Sequence, residues 1–428
     1  MFKKFKATFS EYPSAFKVLT LATFIDMLGG FLLFPFFALY ITERFHVGMT
    51  EVGLLFSINS AGGIIGGLIG GALADKYGRR SLILFGLIVS GIGNLIMGFV
   101  DNLGLFFILA ACLGLIGSFG GPARQAMVSD LLPREKQAEG FGILRVSFNL
   151  SATIGPILGG ILATQSYMLL FIFDAISSIV TAVIIFLVIP ETKPQKKDGA
   201  LEETIIKTVI GYKEVLKDWL YIAFLSISAI MVIVYMQMNS TLSVFLRDVH
   251  GFPTSGFGLL LSMNAIMVVI FQFWITKKVS KRNPMKMMTF GVLFYLVGFG
   301  MYGFVSEIYL FFVAMALITI GEMIVTPIGT TIASFFAPED KRGRYMAMYG
   351  FSWAIPNLFG VLLAGLVWDF IGPFWVWYFA GILSLVSMSG FWFLRRATKE
   401  RLSKEMETSV VQIQEPTTNE EISEIISL

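Results

Sequence analysis

The sequence predicts an all-α membrane protein of twelve transmembrane helices, arranged as two pseudo-symmetric six-helix bundles. Three observations predict it. Of 428 residues, 56% are apolar and only 14% are charged, against about 25% charged in a soluble domain. At about 20 apolar residues per crossing, that content supplies about twelve crossings. The third observation is a repeat at one constant offset, described below. The apolar runs are continuous rather than alternating, which excludes a β-barrel. The composition equally excludes a soluble enzyme, a disordered chain and a nucleic-acid-binding protein. The 43 glycines suit membrane helices, because glycine lets backbones approach closely.

Apolar runs place the helices at 15–42, 51–73, 81–100, 103–129, 141–164, 169–189, 219–246, 255–276, 286–305, 308–335, 345–367 and 374–394. The first run is too long for a cleaved signal peptide, and no small-residue cleavage site follows it. Some connections are very short, such as Asp101-Asn102 and Ser306-Glu307. The longest, 190–218, opens Pro-Glu-Thr-Lys and is rich in Lys and Glu. The organisation expected is an N-terminal bundle (1–189), a cytoplasmic linker (190–218), a C-terminal bundle (219–396) and a cytoplasmic tail (397–428). The tail starts basic and ends acidic, and is expected to be disordered or weakly ordered.

Shifting the sequence by 205 residues lays Pro122 on Pro327, Pro133 on Pro338, Gly155 on Gly360 and Gly160 on Gly365. The same shift lays LLPREK (131–136) on FAPEDK (336–341). One offset across helices 4–5 and 10–11 points to a duplicated six-helix unit, the plan of many secondary transporters. Every Lys and Arg except Arg44, Arg124 and Arg247 lies on or near one face of the predicted bundle. By the positive-inside rule that face is cytoplasmic, with both termini inside the cell and the chain multi-pass in the cell membrane. A lone Cys112 excludes an internal disulfide, and His46 and His250 are the two histidines, so no metal or cofactor is expected. No nucleotide-binding Gly-x-x-x-x-Gly-Lys-Ser/Thr loop is present.

Between helices 2 and 3 stands GGALADKYGRRSLI (70–83). Gly71 permits close helix packing, Gly78 a tight turn, and Asp75 is one acid among the bases Lys76, Arg79 and Arg80. Helix 5 carries SATIGPILGGIL (151–162), with Pro156 bending the helix and Gly155, Gly159 and Gly160 forming a small-residue face. Helix 1 carries Asp26 and, nine residues on, Pro35. Together these motifs resemble the major facilitator superfamily, and within it the drug:proton antiporter branch of tetracycline and multidrug exporters. The resemblance implies the major facilitator fold. It also implies that Asp75 latches the two halves in the outward-open state, by accepting from the start of helix 11 near Arg344 or Arg342. The helix-5 glycines resemble the antiporter pattern, though packing alone also explains them. The shift puts Ser280 on Asp75, so the second half keeps the charge and loses the latch. Many members of the family carry an Arg in helix 4 where this chain has Ala110, and that coupling role does not transfer to Arg124.

Ionisable residues inside spans cost at least about 2.5–3.5 kcal/mol at the helix centre and are functional candidates by default. Asp26, Arg124, Asp174 and Glu322 qualify. Depth, at about 1.5 Å per residue, puts Asp26 and Glu322 close to the midplane in opposite halves, where a central cavity would lie. Burial favours the neutral acid, so such a carboxyl can load a proton near neutral pH. The alternative for each acid is a structural partner, a hydrogen bond to a neighbouring helix or an ion pair with a base such as Arg124; Arg124 itself, nearer the cytoplasm, is expected in a charged cluster with Asp130 or Arg145. The polar residues Asn149, Tyr235, Gln237, Asn239 and Asn264 are the expected substrate-cavity lining, although interhelical hydrogen bonding is their commoner use.

The function expected is export of small hydrophobic or amphipathic compounds by alternating access, with Asp26 and Glu322 as proton-coupling residues. The partners expected are a small-molecule substrate, protons and the lipid bilayer, with no nucleic acid and a monomeric state. Uptake or facilitated diffusion of a small metabolite on the same fold is the alternative, and a non-transporting sensor a remoter one. No nucleophile–base pair or metal cluster points to an enzyme.

Overall fold

The structure is a computed structural model that describes residues 11–192, 213–280, 282–338 and 341–402. Most of the expected linker and most of the expected tail lie outside the described residues. Among the described residues, twelve helices are long and apolar enough to cross a membrane. In the first half these are α1 (Ser14–Phe45), α2 (Met49–Tyr77), α3 (Arg79–Phe99), α4 (Leu103–Leu131), α5 (Glu139–Ala163) and α6 (Tyr167–Val188). In the second half they are α7 (Trp219–Asn239), α8 (Thr254–Val279), α9 (Pro284–Met301), α10 (Ile308–Phe336), α11 (Gly343–Phe370) and α12 (Pro373–Ala397).

The 205-residue shift extends into the helix ends. It carries Leu103–Leu131 onto Ile308–Phe336, and the start of α2 onto the start of α8. An irregularity recurs within two residues of the same offset. In α1, a 3-10 turn at Phe34–Phe36, with Pro35 at its start, separates Ser14–Leu33 from Phe37–Phe45. In α7, a 3-10 turn at Gln237–Asn239 ends the span, and a separate helix, Thr241–His250, follows. The continuous helix expected over 219–246 is therefore broken. Proline causes the break in α1. In α7 the cause is a run of polar side chains that bond to nearby backbone: Ser240 Oγ donates to the Met236 carbonyl, and Ser243 Oγ to that of Ser240. The helix expected over 103–129 is also interrupted, at Ser118–Phe119. The glycines and proline of GSFGGP (117–122) favour helix poorly, whereas the equivalent EMIVTP in α10 does not interrupt it.

The halves meet along α2 against α11 and α5 against α8. Gly53 abuts the Leu362 backbone, and Gly365 that of Met49. A Cβ on Gly160 would stand 3.2 Å from the Cα of Gly258. Ser60 Oγ donates to the Asn357 carbonyl at 3.4 Å, and Ser57 Oγ to that of Leu358. Every one of these contacts lies toward the face that carries the α2 start and the α11 end. The opposite face, where α1 begins and α12 ends, carries Lys76, Arg79 and Arg80 and is called the basic face below. Among the described residues, these contacts between the halves gather on the far face.

Candidate functional site

A cavity of about 330 Å³ lies between the halves. Phe31, Pro35, Phe148 and Asn149 line it from the first half, and Tyr235, Asn239, Asn264, Glu322 and Trp353 from the second. The α1 break puts Pro35 into this wall, and the α7 break puts Met238 and Asn239 there. Glu322 is the one carboxylate of the lining. Tyr235 donates its hydroxyl to Glu322 Oε1 at 2.9 Å, and Asn264 donates Nδ2 to Oε2 at 2.9 Å. Asn264 also donates to Thr319 Oγ1, whose own proton goes to the Met315 carbonyl. Trp353 meets the Tyr235 ring edge-on at 6.0 Å, and Phe148 meets Phe31 at 5.0 Å. The result is an apolar, aromatic chamber with one acid held in a fixed orientation.

Four of the five residues expected in this lining are there: Asn149, Tyr235, Asn239 and Asn264. Gln237 is not. It is 3% exposed, donates to the carbonyls of Ile233 and Gly360, and accepts from the Thr241 hydroxyl at 2.7 Å. The 3-10 turn rotates it away from the cavity toward α11, where it pins the α7 break.

Asp26 also lies outside that lining. Arg124 reaches it at 2.7 Å, and Ser178 Oγ donates to its other oxygen at 3.3 Å. The cluster expected for Arg124 with Asp130 or Arg145 does not form, since Asp130 lies 3.1 Å from Arg79 instead. The depth argument separated Asp26 from Arg124 because it placed side chains at their Cα height. The guanidinium of a long arginine side chain closes that gap. Asp174 stands nearby in α6, 4% exposed, accepting from Asn94 Nδ2 at 2.7 Å.

At the basic face, Arg79 is the buried hub of the α2–α3 junction. It stands 3.0 Å from Asp75 and 3.1 Å from Asp130, and donates to the Ala74 carbonyl at 3.3 Å. Gly78 has φ +103°, which an L side chain adopts only with strain, and a Cβ there would strike the Glu191 carboxylate. Glu191 caps the start of α3: it accepts from the backbone N–H of Arg80 at 2.9 Å and of Ser81 at 3.0 Å. Burial pushes its carboxyl up, but these donors, with the Ser81 hydroxyl and the Thr192 N–H, outweigh it and hold the group below the usual range. Arg80 donates to the Phe186 carbonyl and lies over that ring. Gly71 faces open space, so the close packing expected of it is absent here. Gly66 and Gly70 make the approach instead, against the Leu115 and Phe119 backbones. Asp75 is 69% exposed and does not reach α11. Arg344 lies 3.8 Å from Glu214, which Lys341 also binds at 2.9 Å, while the side chain of Arg342 lies outside the described ones. The expected contact of Asp75 with the start of α11 is therefore not formed among the described side chains. In α5, Gly155 and Gly159 press against α1 at Phe31 and Leu32, and Gly160 against α8, with Pro156 inside the helix.

The far face carries clasps that the sequence did not announce. The start of α2 has Gly48 as its cap residue, with no side-chain cap of its own. Asp369, in the last turn of α11, supplies one from the other half, accepting from the N–H groups of Met49 at 3.1 Å and Thr50 at 2.7 Å. Arg247 donates to the Thr42 hydroxyl at 2.9 Å and to the Leu39 carbonyl at 3.1 Å, joining the helix after α7 to α1. Arg247 stood out in the sequence as a base away from the basic face, but its partners and the role of Asp369 did not.

The profile of the Major Facilitator Superfamily matches residues 19–355 and 257–425. The chain belongs to the Major Facilitator Superfamily. It is a transporter rather than an enzyme, and a multi-pass membrane protein. Among its relatives in the superfamily, a Na(+), Li(+), K(+)/H(+) antiporter of Planococcus maritimus is 24% identical over 90% of this chain and 96% of that one. The tetracycline resistance protein, class H, of Pasteurella multocida is 24% identical over 89% of this chain and 96% of its own. Among solved structures, the nucleoside transporter NupG superposes with a TM-score of 0.77 at 12% identity, covering 89% of this chain and all of that one. The last likeness concerns the fold alone.

Proposed function

We propose that this superfamily member exports small hydrophobic or amphipathic compounds in exchange for protons. Glu322 is the coupling carboxyl, and the basic face lies in the cytoplasm. The central cavity carries the reading. Its walls are mainly aromatic and aliphatic with a few neutral polar side chains, and its one carboxylate is held by two neutral donors rather than by a cation. A neutral acid and a carboxylate therefore place different charges beside a bound substrate, without rearranging an ion pair. Asp26 contributes to coupling only when its pair with Arg124 opens, so its role is conditional on conformation. The orientation rests on the positive-inside rule, and with it the contacts between the halves gather on the extracellular face. One inward proton supplies about 2.3 kcal/mol per 100 mV, and each unit of pH gradient adds about 1.4 kcal/mol.

The test is transport in inverted vesicles with cationic, neutral and anionic compounds, with and without a pH gradient. Glu322→Gln is expected to abolish gradient-driven export with expression intact, since an amide exchanges no proton. Asp26→Asn is expected to impair cationic substrates more than neutral ones. Wild-type rates in both variants under an imposed gradient would refute the assignment.

A further inference from the structure

A second cavity, of about 320 Å³, lies inside the first bundle, among α1, α2, α3, α4 and α6. Asp174 lines it. Among the described residues this carboxyl has no cationic partner: Arg124 is taken by Asp26, and the group bonded to Asp174 is the neutral amide of Asn94. An ionised carboxylate buried in this way is costly unless a counter-charge accompanies it.

The donors around it are all oxygen. Asn94 spends Nδ2 on Asp174 and keeps its amide oxygen as an acceptor. Asn59 spends Nδ2 on the Ala110 carbonyl at 3.1 Å and likewise keeps its oxygen. The hydroxyls of Ser90 and Ser118 complete the polar lining. No imidazole or thiolate is present among these residues, which disfavours a transition metal. One carboxylate would leave a divalent ion with net charge inside the bilayer, which is expensive. We propose that this cavity binds a small monovalent cation of sodium size, with Asp174 as its counter-charge and Asn94 and Asn59 as neutral oxygen donors.

At about 30 Å³ per water the space holds the ion with much of its hydration. Ser60 and Asn357 stand at its edge, so it opens toward the seam between the halves. A proton on Asp174 supplies the same neutralisation and must compete with the ion. Of the helices packed on α6, α1 presents Asp26, already matched by Arg124 of α4. Beside Asp174, α3 presents neutral Asn94, its Arg80 reaching α6 about three turns away at Phe186, and α5 has no charged residue between Arg145 and Ala163. Competition therefore tracks Asp174 itself.

The experiment is equilibrium binding of radioactive sodium to the purified full chain in lipid nanodiscs. Saturable binding is expected at about pH 8.5, well above the ordinary carboxyl range, and should weaken on acidification. Asp174→Asn should lower affinity at least about tenfold, the usual cost of losing a ligand contact. Ala110→Arg, which puts a fixed cation into the same cavity wall, should do the same and serves if Asp174→Asn does not fold. No saturable binding by the wild type would overturn the proposal, as would wild-type affinity in the folded variants. Loss of binding in Glu322→Gln but not in Asp174→Asn would also overturn it, by placing the ion in the central cavity.

Discussion

Removing the Asp369 carboxylate should release the far face. Asp369 acts as the N-cap of a helix in the other half, because α2 starts at a glycine with no cap of its own. Loss of an N-cap side chain costs about 0.5–2 kcal/mol. Asp369 is itself exposed, so solvent screens the charge and the middle of that range applies, about 1 kcal/mol. Asp369→Ala loses both bonds, and Asp369→Asn keeps one acceptor without the charge. The bonds exist only while the far face is closed, so the whole loss appears in the conformational equilibrium, as about a fivefold shift toward open. Spin labels at Leu54 and Leu366, both exposed on the two helices, would read the separation by double electron–electron resonance after Cys112 is replaced. Asp369→Ala should populate the longer distance about fivefold more, and Asp369→Asn less so. An unchanged distribution in Asp369→Ala would refute the cap, and an equal shift in both variants would refute the division between bond and charge.

Asp75→Asn should move the population the other way, toward the state seen here, by a few kcal/mol at most. Labels across the basic-face ends of α2 and α11 would show this, and unchanged distances at low and high pH would remove the latch. Gly78→Ala should lower the melting temperature, since a non-glycine at positive φ costs about 1–2 kcal/mol and the added Cβ displaces Glu191. Because the Glu191 carboxyl is held below its ordinary value, its contribution is present above the unfolded value of about 4.3 and is lost as pH falls through the folded one. Glu191→Gln should therefore destabilise at neutral pH and make no difference at the acid end of a melting series.

The sequence by itself determined the number of crossings, the duplication and the charged face. Each rests on quantities that add along the chain: about 20 apolar residues per crossing, one constant offset, and a count of Lys and Arg. It also determined the turn at Gly78, because positive φ restricts which residue stands there. The tertiary structure decided which groups face each other. Asp26 and Arg124 lie 98 residues apart and meet because their helices pack and the arginine is long. Asp369 caps a helix that starts 320 residues earlier. Gln237 leaves the cavity and Asn239 enters it because a 3-10 turn changes the angle per residue. Glycine-rich α2 shows the same division. Its sequence licenses close contact at many positions, but only the partner helix decides that Gly66 and Gly70 are used and Gly71 is left open.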